Sequence, residues 1–288
     1  MKPGHESQTA VMVCAARAAA HGRTDVAAFT DPTALALLPE DARQRIEQFR
    51  SGVPPKSLRE RIRYAVLEKR SKMMVARTVA IDGAIRDAAS SQVVILGAGL
   101  DGRAWRMSEL ADVTVFEVDH PDSQREKRAR AAPLKQAARD VRFVPVDFTR
   151  DRFEDALASA GHDPARQTTW VWEGVVPYLE RADIEATLRV VEARSAPGSR
   201  LVVVYISPSI IRRMVGFFLG RLGEPFRSAF TADEMYTLLA GFGFTVVQDD
   251  DLARIATRLS AEFADATRIL KSMRIATAEM MPQQAPGV

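Results

Sequence analysis

The stretch from Gln92 to Asp119 leaves this chain few folds to choose from. An apolar run, Val93-Val94-Ile95-Leu96, breaks into Gly97-Ala98-Gly99, passes through a short charged segment, and resumes as Val113 to Val118 before closing on Asp119. β-Branched runs on either side of a Gly-x-Gly turn, the second ending in a carboxylate, form the first βαβ half of a nucleotide-binding parallel sheet. The glycines let the backbone turn and approach a ligand with no Cβ in the way, and an acid at the second strand's tip can accept both hydroxyl protons of a ribose. An adenosine-like ligand follows; its identity does not. Gly97, Gly99 and Gly102 satisfy G-x-G-x-x-G and Asp119 stands at the expected offset, which keeps NAD or FAD open. Against a pyrophosphate ligand stand the long sequence ahead of the motif and the bulky Arg103, Trp105 and Arg106, where helix-strand packing favours small residues.

Three further apolar runs repeat the pattern: Arg142 to Val146 before Asp147-Phe148, Thr168 to Trp172 before Glu173-Gly174, and Arg200 to Ile206. Five such runs separated mainly by helical segments specify a parallel sheet covered on both faces, with its ligand at the carboxyl ends of the strands. Gly97, Asp119, Asp147 and Glu173 all fall there, on successive strands. Ahead of the sheet, helices are expected over 9–22, from Asp31-Pro32, over 41–49, and over 57–89 in one or two pieces. Arg77, on the last of these, is either a surface arginine or the holder of a bound carboxylate. The basic helix from His120-Pro121 to Arg139 reads as a solvated outer face. Thr231 and Glu234 form a capping-box pattern, and strands near Phe244 to Val247 and Met273 to Ala278 add a hairpin-like pair.

A chain of 288 residues, 47% hydrophobic, can bury one sizeable core, so a single domain over 1–288 is expected, a helical cap over 1–90 and a sheet core over 91–288. Its 40 basic and 37 acidic residues are interspersed, which argues against a nucleic-acid partner. Cys14 is the only cysteine, excluding an intramolecular disulfide and a cysteine-based zinc cluster, and no metal is expected. No apolar run reaches membrane-span length, and Met1 to Thr9 lacks the apolar core of a secretion signal. The expectation is a cytoplasmic protein with a small-molecule partner and no membrane partner; oligomeric state is not specified.

The run Val94 to Arg106, then Phe116-Glu117-Val118-Asp119-His120-Pro121, then Trp172-Glu173-Gly174-Val175-Val176-Pro177-Tyr178-Leu179 resembles the leucine carboxyl methyltransferase family, which includes bacterial polyketide O-methyltransferases. Arg77-Thr78 with Asp82, and Gly223-Glu224-Pro225-Phe226, are similar to bacterial members, and the match spans roughly residues 10–280. The resemblance implies an α/β class I methyltransferase fold: a Rossmann-like seven-stranded sheet with helices on both faces, an N-terminal helical extension and a lid over about 207–230. It implies S-adenosylmethionine in the crevice, with Arg77 on the methionine carboxylate, Gly97 and Gly99 beside the methionyl part, Asp119 on the ribose, Asp147 and Phe148 at the adenine, and Glu173 near the amino group. Arg17 is a further carboxylate contact on a looser match. Threonine is commoner in the family where Gly102 stands, a departure expected to loosen that loop.

The reaction implied is methyl transfer to a carboxylate or acidic hydroxyl of a small molecule of polyketide type, since none of the four histidines is placed as an obvious base. His21 and His162 fall in loops and read as surface residues. Tyr178 is the catalytic candidate. Tyr205, Phe217, Phe218 and Phe226, with Arg212, Arg213 or Arg227, are expected on the acceptor side. An NAD-dependent oxidoreductase and a catalytically idle cofactor-binding protein are the competing readings.

Overall fold

A strand covered on both faces must be apolar at consecutive positions, and β1 (Gln92–Leu96) and β4 (Thr168–Trp172) are buried at every residue. The computed structural model describes residues 7–147, 150–208, 226–260, 263 and 271–282. Among them β2 (Thr114–Asp119), β3 (Asp140–Pro145), β5 (Arg200–Ile206), β6 (Phe244–Asp251) and β7 (Met273–Met280) complete a seven-stranded sheet of order β3-β2-β1-β4-β5-β7-β6. β1 to β5 run parallel, while β7 lies antiparallel between β5 and β6. The strand order reverses between β1 and β4, since the chain builds outward through β2 and β3 on one side and then through β4 and β5 on the other, and an open parallel sheet leaves a crevice there. The expected α/β class I methyltransferase architecture is the one observed.

Helices cover both faces. α1 (Gln8–Ala20), α2 (Ala34–Leu37), α3 (Glu40–Arg50) and α4 (Leu58–Ala88) precede the sheet, and α5 (Arg103–Arg106), α6 (Pro121–Ala131), α7 (Phe153–Ser159), α8 (Arg181–Ala193), α9 (Ala232–Ala240) and α10 (Leu252–Leu259) are threaded through it. Period-two alternation divides the strands: Val93, Ile95 and Val115 face the core shared with α1 to α4, whereas Val94, Leu96 and Phe116 face the core under α7, α8 and α9. α4 is one continuous helix of 31 residues, opened by a reciprocal Ser57–Glu60 capping box. It needs no break because its inner half, from Ser71 to Ile85, is held by burial.

The basic helix is shorter than its composition suggested, ending at Ala131, and it is not wholly a solvated face. Lys127 is buried, its Nζ 2.7 Å from Glu117 Oε2 and over the Trp105 ring. The alternation that sends Val115 inward sends Glu117 the same way, so a buried carboxylate demands a buried cation. Burial pushes the Glu117 carboxyl up, and Lys127 opposes that shift. His162 is also buried, not a surface loop residue: Nε2 is 3.1 Å from Thr168 Oγ1, and Nδ1 accepts from Arg194 Nε.

Candidate functional site

The carboxyl ends of β1, β2 and β4 open on a crevice of about 500 Å³. Gly97 turns out of β1 at φ +66 and Gly99 follows at φ +47, both in the left-handed region that a Cβ disfavours. The space beside them is already occupied by protein: a Cβ on Gly97 would collide with Val175, and one on Gly99 would lie 3.0 Å from the Ala10 Cβ. The glycines therefore serve the packing of α1 and the β4 loop onto the turn, as well as clearing the ligand's approach.

Asp119 ties the turn to β2. Its Oδ2 accepts the Gly99 N–H at 2.5 Å and its Oδ1 the His120 N–H at 2.6 Å. Each carboxylate oxygen keeps a second lone pair, and the side chain lines the crevice, as the ribose assignment requires. Burial raises its carboxyl above the ordinary range, against the two backbone N–H donors. His120, the next residue, caps α6 by accepting the Asp122 N–H at Nδ1.

At the other end a buried ion network forms the floor. Arg77 Nε lies 2.6 Å from Glu173 Oε1, without the alignment of a hydrogen bond. Arg103 is the hub: Nη1 reaches Glu173 Oε2 at 2.9 Å and Asp101 Oδ2 at 2.5 Å, and Nε reaches Asp82 Oδ1 at 2.7 Å. Arg106 grips both Asp82 oxygens at 2.6 and 2.9 Å. Burial alone would raise the Glu173 carboxyl, but Arg77 and Arg103 outweigh it and hold the pKa at about 2. Asp101 is likewise pushed well below the usual carboxylate range by Arg103 and its neighbours, against burial.

Arg17, Arg77, Gly97, Gly99, Asp119, Asp147 and Glu173 all line this crevice. Arg17 is held there by Asp31 Oδ2 at 2.8 Å and the Leu100 carbonyl at 2.6 Å. Phe148 lies outside the described residues, as do Arg212, Arg213, Phe217 and Phe218. Tyr178, on a 3₁₀ turn after β4, lines the crevice with Leu179 and Arg227, its ring 5.3 Å from that of Phe226. Tyr205 does not line it: it is buried on β5, donating to Asp249 Oδ2 at 2.6 Å and accepting from Arg274 Nε at 3.0 Å. Its place on a central strand, one residue before the last, sends it into the core.

Gly102 is a second correction. A Cβ there would collide with Thr33 Oγ1, whose hydroxyl bonds Asp31 Oδ1 at 2.8 Å. The Thr33 hydroxyl fills the space a side chain at position 102 would need, so Gly102 packs the loop against the cap and does not loosen it. It also removes the third glycine from the ligand, weakening the dinucleotide reading. Sequence reasoning missed the Arg103 hub, treating that residue only as bulk; the one local signal was Asp101 two positions before it. Among the described residues no group of three or more His, Cys, Asp or Glu is placed to hold a metal ion, and no helix is long and apolar enough to cross a membrane.

Sheet order, glycine turn and acid-tipped crevice define a Rossmann-like methyltransferase fold. A crystal structure of a DUF574-family protein from Streptomyces avermitilis shares that fold, with a TM-score of 0.62 over 96% of this chain and 98% of that one at 14% identity. The model of the leucine carboxyl methyltransferase family matches residues 10–192, and the chain belongs to that family. A Frankia alni relative, provisionally named an S-adenosyl-L-methionine-dependent methyltransferase, is 34% identical over 75% of this chain and 74% of its own length. A Streptomyces coelicolor relative with the same provisional name is 33% identical over 74% of each.

Proposed function

We propose that the chain is an S-adenosylmethionine-dependent O-methyltransferase whose acceptor is a carboxylate or acidic hydroxyl of a small molecule. The donor's demands match the crevice: a diol meets Asp119, an amino-acid zwitterion meets Arg77 and Glu173, and about 500 Å³ is a volume suited to a ligand of that size. When bound, the donor supplies a methyl already activated by its sulfonium, so the protein has only to hold the acceptor oxygen in line and exclude water. Alignment of this kind can lower a barrier by about 7–11 kcal/mol.

The carrying observation is that acids and bases facing the crevice are committed elsewhere. His120 accepts a backbone N–H, Asp119 accepts two, and Glu173 is held ionised between two arginines. An acceptor that arrives ionised needs no general base, which favours a carboxylate. Val175, Leu179 and the Tyr178–Phe226 pair offer it an apolar wall. Arg227, joined to Glu180 only by an exposed 3.4 Å contact, offers a cation that little holds back. An acid of polyketide type suits both features.

Methyl incorporation from labelled S-adenosylmethionine into a panel of carboxylates and phenols, from pH 6 to 9, tests the acceptor class. Carboxylate turnover should be flat with pH; a rate rising tenfold per unit, or activity on phenols alone, sinks the carboxylate reading. Tyr178→Phe should lower turnover more than affinity for S-adenosylhomocysteine, and a loss confined to affinity would remove Tyr178 from the acceptor side. Calorimetric binding of NAD without S-adenosylhomocysteine binding would restore the oxidoreductase reading, and cofactor binding with no methylated product from any extract would favour an idle binding protein.

A further inference from the structure

The outer half of α4 carries a surface that the crevice does not use. Leu58, Ile62 and Val66 recur every four residues and are 72%, 56% and 44% exposed. At about 100° per residue they form a stripe facing away from the core side of the helix, where Tyr64, Leu67 and Ser71 lie. Arg59, Arg63 and Arg70 border the stripe on one side and Arg61 on the other, with Lys69 inside it. This arc of about 200° contains no carboxylate.

The cations are unneutralised. Among the described residues no ion-pair or hydrogen-bond partner faces the side chain of Arg59, Arg61, Arg63, Lys69 or Arg70. Elsewhere the exposed helices pair their charges within a turn: Arg45 with Asp41, Arg125 with Asp122, Arg181 with Glu185. Of the two acids of this segment, Glu60 is engaged in the capping box, and Glu68, just outside the arc beyond Arg61, faces Lys72 at 3.9 Å, which leaves the five cations named above without an acid.

We infer that this face docks the protein on an anionic lipid surface. A second copy does not suit it, because a self-pairing would bring two uncompensated clusters of arginine together. A folded acidic protein suits it less, since three side chains along about 12 Å of helix fall well short of the roughly 800 Å² per partner of a standard interface. A bilayer sets no such minimum: aliphatic side chains enter the headgroup boundary while basic neighbours meet anionic headgroups. The absence of a spanning segment, which led to the expectation of no membrane partner, does not bear on peripheral contact. α4 runs about 28 Å from Leu58 to Arg77, so the crevice stays clear of a surface held at this end.

Cosedimentation of the full chain with phosphatidylcholine vesicles, with and without about one-third phosphatidylglycerol, tests the inference. Binding should require the anionic lipid and fall as salt rises, because exposed charges are screened within about 10 Å at 0.1 M. Each cation lost should weaken it about fivefold, so Arg59→Glu/Arg63→Glu should weaken it by more than about twenty-fold. Ile62→Asp should also reduce it, and all variants should bind S-adenosylhomocysteine like the parent. Equal binding to neutral vesicles, no binding to either kind, or variants that sediment like the parent would overturn the proposal. So would a dimer seen by sedimentation equilibrium and abolished by Ile62→Asp, which would assign the face to self-association.

Discussion

The two halves of α4 are built from similar residues and put them to opposite use. In the inner half Arg77, Thr78 and Asp82 are buried, and their charges are answered from other elements: Arg77 by Glu173 after β4, Asp82 by Arg103 and Arg106 on α5. In the outer half Arg59, Arg61, Arg63 and Arg70 have no answering acid among the described residues, and Leu58, Ile62 and Val66 stand exposed. A charge in the core is costly unless paired, whereas an unpaired charge in water costs little. Pairing thus marks where the fold demands a partner, and unneutralised cations beside exposed aliphatic residues mark where a partner can arrive from outside.

The sharpest way to break this comparison is to remove the inner hub. Arg103→Ala leaves Asp101 buried without its cation and takes one of two from Asp82 and from Glu173, and loss of one partner of a buried pair costs about 3–5 kcal/mol. Urea unfolding should show a loss of that size with S-adenosylhomocysteine binding weakened in parallel. A variant as stable as its parent would mean that the network is not holding the floor.

Asp119→Ala is an intermediate case, because among the described residues this carboxylate accepts hydrogen bonds only from two backbone N–H groups and, under the proposed function, would meet a ribose. Cofactor affinity should fall by about 1.5–3 kcal/mol, the scale of hydrogen bonds to a charged group, as read by calorimetry. Unchanged affinity in a folded variant would falsify the ribose assignment.

His162 extends the comparison to a group buried without charge. Burial, then the Arg194 guanidinium, lowers its pKa from 6.5 to about 4. Below pH 6.5 the unfolded chain therefore binds a proton that the folded chain refuses, so this contribution to stability is lost as pH falls from about 6.5 toward 4. His162→Gln should flatten that part of the profile by up to about 1 kcal/mol per pH unit. Parallel profiles for variant and parent would show that the imidazole titrates normally.

What the sequence discloses follows the same division. Gly97, Asp119, Asp147 and Glu173 were legible because apolar runs mark strands and a strand has an identifiable end, so parallel order alone brings their tips together. The Arg103 hub was not, because beyond Asp101 its partners stand 21 and 70 residues away and no local period links them. Lys127 is one basic residue in a basic helix, set apart only by facing Glu117 across the fold. Tyr205 stands beside a strand tip in the sequence, but strand alternation and the cover of β7 put it in the core. Local pattern reveals where strands end, but not which side chain answers another across the sheet.

The smallest expected effect is the most informative about the outer half of α4. Arg59→Gln and Arg63→Gln, singly, remove charges that no residue among those described compensates, on a helix already closed by the Ser57–Glu60 box. Substitutions at such exposed positions leave stability nearly unchanged, so the melting temperature should move by less than about 2 °C. A fall several times larger would mean that these arginines do answer something within the chain, and the two halves of α4 would then differ in depth but not in kind. A shift near zero with cofactor affinity intact leaves their cost to the fold small and their use external, the condition that the contrast between the halves requires.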